Sequence, residues 1–200
     1  MINSLERTRL ASLCFASLLS ASAQAASFSH LLDQSNMLAD GTPYATVTLD
    51  DDTANTLTFT ITPLGAFTPD SNFGVQEFGF NVSGSIAPAT TWTLPTGWTS
   101  EGSKSLSEFG VFDIVIAGNG HSRQSPLVFS LTNSGLALAS FFTEASTKGY
   151  YFAAHIAGFK PLQGTASTFV ADSAAIPLPA PAWLLGTALG ALGLIRRRLD

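Results

Sequence analysis

The sequence predicts an all-β fold, a single β-sandwich of the jelly-roll or Ig-like kind, and three observations carry that expectation. Apolar and polar residues alternate with period 2 in Tyr44–Asp50 and Thr56–Thr62, the pattern of half-buried strands. Seven to nine such segments follow one another with turns every 8–15 residues and no βαβ alternation. Charged residues make up only 12% of the chain, while Thr, Ser, Gly and Phe are plentiful, which suits an exported β protein and not a disordered linker.

The elements follow in order. Ala45, Val47 and Leu49 share one face of the first strand, and Leu57, Phe59 and Ile61 share one face of the next. Asp50-Asp51-Asp52-Thr53-Ala54-Asn55 supplies the hairpin turn between them. Val75–Val82 reads as a strand with Val75, Glu77 and Gly79 on one face and Gln76, Phe78, Phe80 and Val82 on the other. Trp92–Leu94 is a short strand, and Pro95-Thr96-Gly97-Trp98 is a turn. Val111–Ala117 is nearly all apolar, as a central strand would be, and Gly118-Asn119-Gly120 ends it. Leu127–Thr132 and Tyr150–Ile156 are further strands, and Phe169-Val170 adds an edge. Gly135–Glu144 alone has helical spacing. The phenylalanines at 59, 78, 80, 112, 129 and 152 are expected in the core.

Both ends of the chain carry addresses. Arg7 and Arg9 precede an apolar run from Leu10 to Leu19, and Ala23-Gln24-Ala25 offers a small-x-small site. Residues 1–25 therefore read as a secretory signal peptide, passing the Sec translocon and cut by signal peptidase after Ala25 or, second, after Ala23. The one cysteine, Cys14, lies inside that segment, so the fold of residues 26–175 rests on its core without disulfides or thiolate zinc sites. That domain holds twelve acidic and four basic residues, a net charge near −8, which argues against nucleic acid as a partner.

The C-terminal stretch, residues 176–200, opens with Ile176-Pro177-Leu178-Pro179-Ala180-Pro181. The prolines hold the chain extended. From Ala180 to Ile195 no residue is charged, and as a helix this run spans about 24 Å. Trp183 suits the membrane interface at one end. Arg196, Arg197 and Arg198 suit the cytoplasmic side at the other, stopping a transmembrane helix over 182–195 in the inner membrane. Gly186 and Gly190, one turn apart, would let a partner helix approach closely, although short spans are rich in small residues anyway.

A proline-rich motif, a short apolar helix and a terminal arginine cluster together resemble the PEP-CTERM sorting tail in its VPLPA-type variant, with Ile176 in place of Val. The resemblance covers about 25 residues. It implies export by a Gram-negative bacterium that makes exopolysaccharide, and recognition and processing by an exosortase. The named motif has Glu between its prolines, where this chain has Leu178. Val75–Val82, Phe109–Asp113 and Phe152–Ile156 also resemble segments of small exported proteins with such tails.

Candidate chemistry inside the domain is sparse. Asp50–Asp52 with Asn55 offers oxygens for calcium but lacks the spacing of a calcium loop, and a solvated turn explains it as well. His30, His121 and His155 form no metal-ligand spacing, and no G-x-S-x-G elbow is present. The expectation is therefore an exported surface or matrix protein with no catalytic residues, no metal and no cofactor. It would be anchored transiently with its domain on the periplasmic side, then processed and delivered to the cell surface or a biofilm matrix. The alternative is a carbohydrate-binding module of exopolysaccharide that stacks sugars on Trp92 and Trp98, set against core or loop packing of the same residues. A second alternative is a secreted hydrolase, which requires His121 or His155 beside a Ser and an Asp in a cleft.

Overall fold

A computed structural model describes residues 27–51, 53–83, 86, 90–133 and 146–172. The chain runs as β1 (Ser27–Ser35), β2 (Ala45–Asp50), β3 (Thr56–Pro63), β4 (Pro69–Phe80), β5 (Thr91–Thr93), β6 (Trp98–Ser105), a 3-10 turn at Ser107–Phe109, β7 (Val111–Gly118), β8 (Leu127–Thr132), β9 (Phe152–Leu162) and β10 (Thr165–Asp172). All ten strands join one antiparallel sheet in the order β5-β8-β3-β2-β1-β10-β9-β4-β7-β6. The signal segment, the Gly135–Glu144 stretch and the tail lie outside the described residues. Among the described residues no helix is long and apolar enough to cross a membrane.

The alternation seen in the sequence sets the register. Val47 pairs with Ile61 and Leu49 with Phe59 across β2–β3, and Phe59 pairs with Phe129 across β3–β8. Their side chains all leave one face of the sheet and are buried. That face meets the other half of the same sheet. The Phe59 ring lies 5.0 Å from Phe80 and 6.3 Å from Phe78, although four strands lie between β3 and β4 in the order given above. Phe129 approaches Phe78 at 6.0 Å and Phe80 reaches Trp92 at 6.4 Å. The sheet thus curls so that β3 and β8 face β4, and the phenylalanine cluster fills the space between, each ring burying area worth a few kcal/mol.

The seam between the halves is β1 against β10, where Leu32 faces Asp172 and Ser35 faces Val170. Strand β10 is therefore interior, hydrogen-bonded to β1 and β9, where the sequence predicted an edge. Polar groups close the seam. Ser35 Oγ and Thr168 Oγ1 lie 2.7 Å apart, and Phe169 N donates to Asn36 Oδ1 at 2.9 Å. Both β1 and β6 were missed in the sequence: β6 exposes most of its side chains and kinks at Gly102, so it carries no apolar alternation.

Strand β4 also departs from strict alternation. The register shifts between Val75 and Glu77, an irregularity that adds one residue and moves Val75 onto the same core as Phe78 and Phe80. Gly79 keeps the outer face. A Cβ there would stand 2.5 Å from Leu106 Cδ1 and 3.0 Å from Phe112 Cγ, so its hydrogen lets the segment after β6 lie against the sheet. Leu106, Phe109, Phe112, Val115, Ala153 and Ala171 form a second, smaller core on this outer face. Ser146 Oγ donates to Phe109 O at 2.7 Å and fastens the covering segment.

Candidate functional site

Among the described residues, the outer face of β4, β9 and β10 is covered only at one end. The other end is an open cleft of about 340 Å³. Its shape follows from irregular backbone. The pairing of β4 with β9 shifts between Pro69 and Gly74, and Asn72 adopts φ 56 within that bulge. Gly158, at φ 77 on β9, packs beneath it: a Cβ there would stand 2.6 Å from Asn72 O. The bulge lifts Asp70 and Ser71 to the rim, opposite Ser167 on β10.

Arg123, from the β7–β8 connection, forms the remaining wall. Its guanidinium is held in place: Nε donates to Gln76 Oε1 at 2.9 Å and Nη1 to Asn72 O at 3.3 Å. Asn72 Nδ2 in turn donates to Gly120 O, tying the bulge to the same connection. The backbone exchange Val75 N to Gln124 O at 2.8 Å and Gln124 N to Val75 O at 3.1 Å anchors it further. Arg123 and Asp70 line the same cleft yet form no ion pair with each other.

Beside the cleft lies a polar row. His155 on β9 stacks on Phe169 of β10, ring centroids 4.3 Å apart and nearly parallel. It faces Glu77 on β4, which pairs with Lys104 at 3.6 Å, and Lys104 also reaches Glu101 at 2.7 Å. Burial holds the His155 pKa down at about 4, and the positive charges of Arg123 and Lys104 push the same way. Its Nδ1 is buried with no hydrogen-bond partner among the described residues.

A second pair of titratable groups is buried at the seam. His30 Nδ1 lies 3.7 Å from Asp172 Oδ2, and both side chains are almost fully enclosed. Asp172 Oδ1 accepts hydrogen bonds from Tyr151 N and Phe152 N, each at 2.9 Å. Burial lowers the His30 pKa to about 4 and raises that of Asp172 to about 6, backbone donors of Phe152, Asp172 itself and Tyr151 only partly opposing that rise. The pair packs against Phe28 and Phe152, with both residues almost fully buried.

The residues singled out in the sequence fall as follows. Trp98 is only 5% exposed, donates from Nε1 to Ser122 O at 2.7 Å, and lies flush on Gly118. It is a packing residue with no ring face open to a sugar, because its strand β6 turns the indole inward over the β7–β8 connection. Trp92, on the short edge strand β5, is half-buried against Phe80. His121 is exposed on the turn after β7, where its backbone N donates to Asn119 Oδ1. Among the described residues, neither His121 nor His155 makes a side-chain hydrogen bond or ion pair to a Ser or an Asp. Among the described residues no group of three His, Cys, Asp or Glu could hold a metal ion. Ile176–Ala180, Trp183, Arg196–Arg198, Ala23 and Ala25 lie outside the described residues. The cleft was not anticipated; Gly158, Asn72 and Arg123 carry no motif, and only the register shift in β4 assembles them.

Comparison of the chain with protein-family models, curated proteins and solved structures finds no match.

Proposed function

We propose that this chain is an exported, non-catalytic surface or matrix protein whose C-terminal stretch is a sorting signal for an exosortase. One observation carries the reading: Ile176–Pro181, the uncharged run to Ile195 and Arg196–Arg198 occur in that order at one end. The folded domain supports it from the other side. Strand β10, the last strand among the described residues, ends at Asp172, whose carboxylate is buried at the seam four residues before Ile176. The domain itself is read as a β-sandwich of the jelly-roll or Ig-like kind. The approach of Phe59 and Phe129 to Phe78 and Phe80 across the curl supports that reading.

A transplant tests the proposal. Residues 173–200 are fused to an unrelated exported reporter in a host that carries an exosortase. The expected result is a reporter that loses the tail and leaves the inner membrane, and that stays there uncut when Pro177 and Pro179 are both changed to Ala. A reporter that keeps its arginines in the membrane in both forms contradicts it.

A further inference from the structure

We infer that the outer-face cleft between the β4 bulge and β10 is a binding site for a neutral, hydroxyl-rich ligand, a saccharide. This goes beyond the sorting proposal and does not depend on it. It places the ligand away from Trp92 and Trp98, the residues named in the carbohydrate-binding alternative.

The charge balance of the cleft selects the ligand. Arg123 is pinned through Nε and Nη1, which leaves Nη2 with two N–H donors and no acceptor among the described residues. Asp70 brings a carboxylate, an acceptor through both oxygens, to the same cleft with no hydrogen bond or ion pair of its own among the described residues. An anion meeting Arg123 would meet Asp70 as well, and a cation would meet the reverse. Neither charge is relieved by the other, so a ligand that carries both donors and acceptors and no net charge satisfies both. Vicinal hydroxyls do this, donating to Asp70 and accepting from Arg123. Ser71 and Ser167 add hydroxyls that serve as either partner. The volume of about 340 Å³ suits one or two pyranose rings and falls within the range of small-molecule sites.

The site is also pre-formed. The bulge is tied by Asn72 to Gly120, the guanidinium by Gln76 and Asn72, and Gly158 holds the two strands at van der Waals distance. A ligand therefore pays little to order it. Asp70 and Ser71 are exposed and belong to neither core cluster, so they can be changed without emptying the core.

The test is affinity electrophoresis of the full chain in mild detergent, through gels containing hydroxyethyl cellulose, dextran or galactomannan, with polygalacturonate as the charged counterpart. Retardation by at least one of the three neutral polymers is expected. Asp70→Ala, and Ser167→Ala beside it, should weaken it at least tenfold, with thermal midpoints unchanged. Trp92→Ala should leave the retardation as it is. Retardation by polygalacturonate alone, retardation by none of the neutral polymers, or neutral retardation that survives Asp70→Ala overturns the assignment.

Discussion

The two faces of the β4–β9–β10 half-sheet are built from the same strands and end differently. The inner face carries Phe78, Phe80, Phe152 and Val170 and is covered by another half of the sheet. The outer face carries Gly79, Ala153 and Ala171 at one end, under Leu106 and Phe109, and His155, Glu77 and the Arg123 cleft at the other. Covering a face with strands removes it from water along its whole length. Covering it with one short segment leaves a remainder, and that remainder holds His155, Glu77 and Arg123, while the His30–Asp172 pair is shut in at the seam. The contrast separates residues that hold the fold from residues free to bind.

Substitutions on the two faces should therefore differ in size and kind. Phe59→Ala empties the centre of the ring cluster, and chemical denaturation should show a loss of about 3–5 kcal/mol. Gly79→Ala strikes the outer face only. Its new methyl group collides with Leu106 and Phe112, whose side chains can shift in part, and the expected loss is about 1–3 kcal/mol. An equal loss from both changes would erase the distinction between the faces.

The pH dependence sharpens it. The folded pKa of His155, about 4, lies below the unfolded value near 6.5, so the unfolded chain takes up a proton that the folded chain resists. Its contribution is complete above about pH 6.5 and is lost as pH falls toward 4. Glu77 favours the charged ring and Arg123 and Lys104 oppose it, and burial decides the direction. The seam pair behaves otherwise. His30, lowered to about 4, costs stability over the same fall in pH. Asp172, raised to about 6, is destabilising when ionised and returns stability as pH falls from 6 through the unfolded value of 3.8. The two contributions largely cancel, so changing His30→Gln together with Asp172→Asn should leave the acid side of a stability–pH curve nearly as it is, whereas His155→Gln should flatten it. Urea midpoints between pH 4 and 7 check this, and a steeper acid loss in His155→Gln would contradict it.

The smallest expected effect is at the rim of the cleft. Asp70→Ala should change stability by no more than about 0.5 kcal/mol in the same urea series, since the side chain is exposed and outside both cores. A larger loss would make Asp70 part of the fold.

How much of this was legible beforehand depends on what each residue reports. The alternation in β2, β3 and β8 named Leu49, Phe59 and Phe129 as core because each strand has one dry face. Strand β6 was invisible because an exposed edge strand has no dry face to reveal. Val75 was placed on the wrong face because an inserted residue reverses the alternation, and nothing in Val75-Gln76-Glu77 marks the insertion. Trp98 stood near a turn and looked available; only the fold shows that the strand after the turn rotates it inward. The cleft was illegible for the same reason, since it consists of residues from four distant stretches with no shared spacing. The reading of the tail is the reverse case: it rests on a local pattern in the sequence alone.

The central functional claim concerns that tail, and the intact mass of the protein recovered from its native host tests it most directly. The account predicts a chain lacking residues 1–25 and ending near residue 180, and a chain retaining the tail when Pro177 and Pro179 are both Ala. Recovery of Arg196–Arg198 in the mass of the unaltered protein would contradict it and leave the stretch a plain membrane anchor.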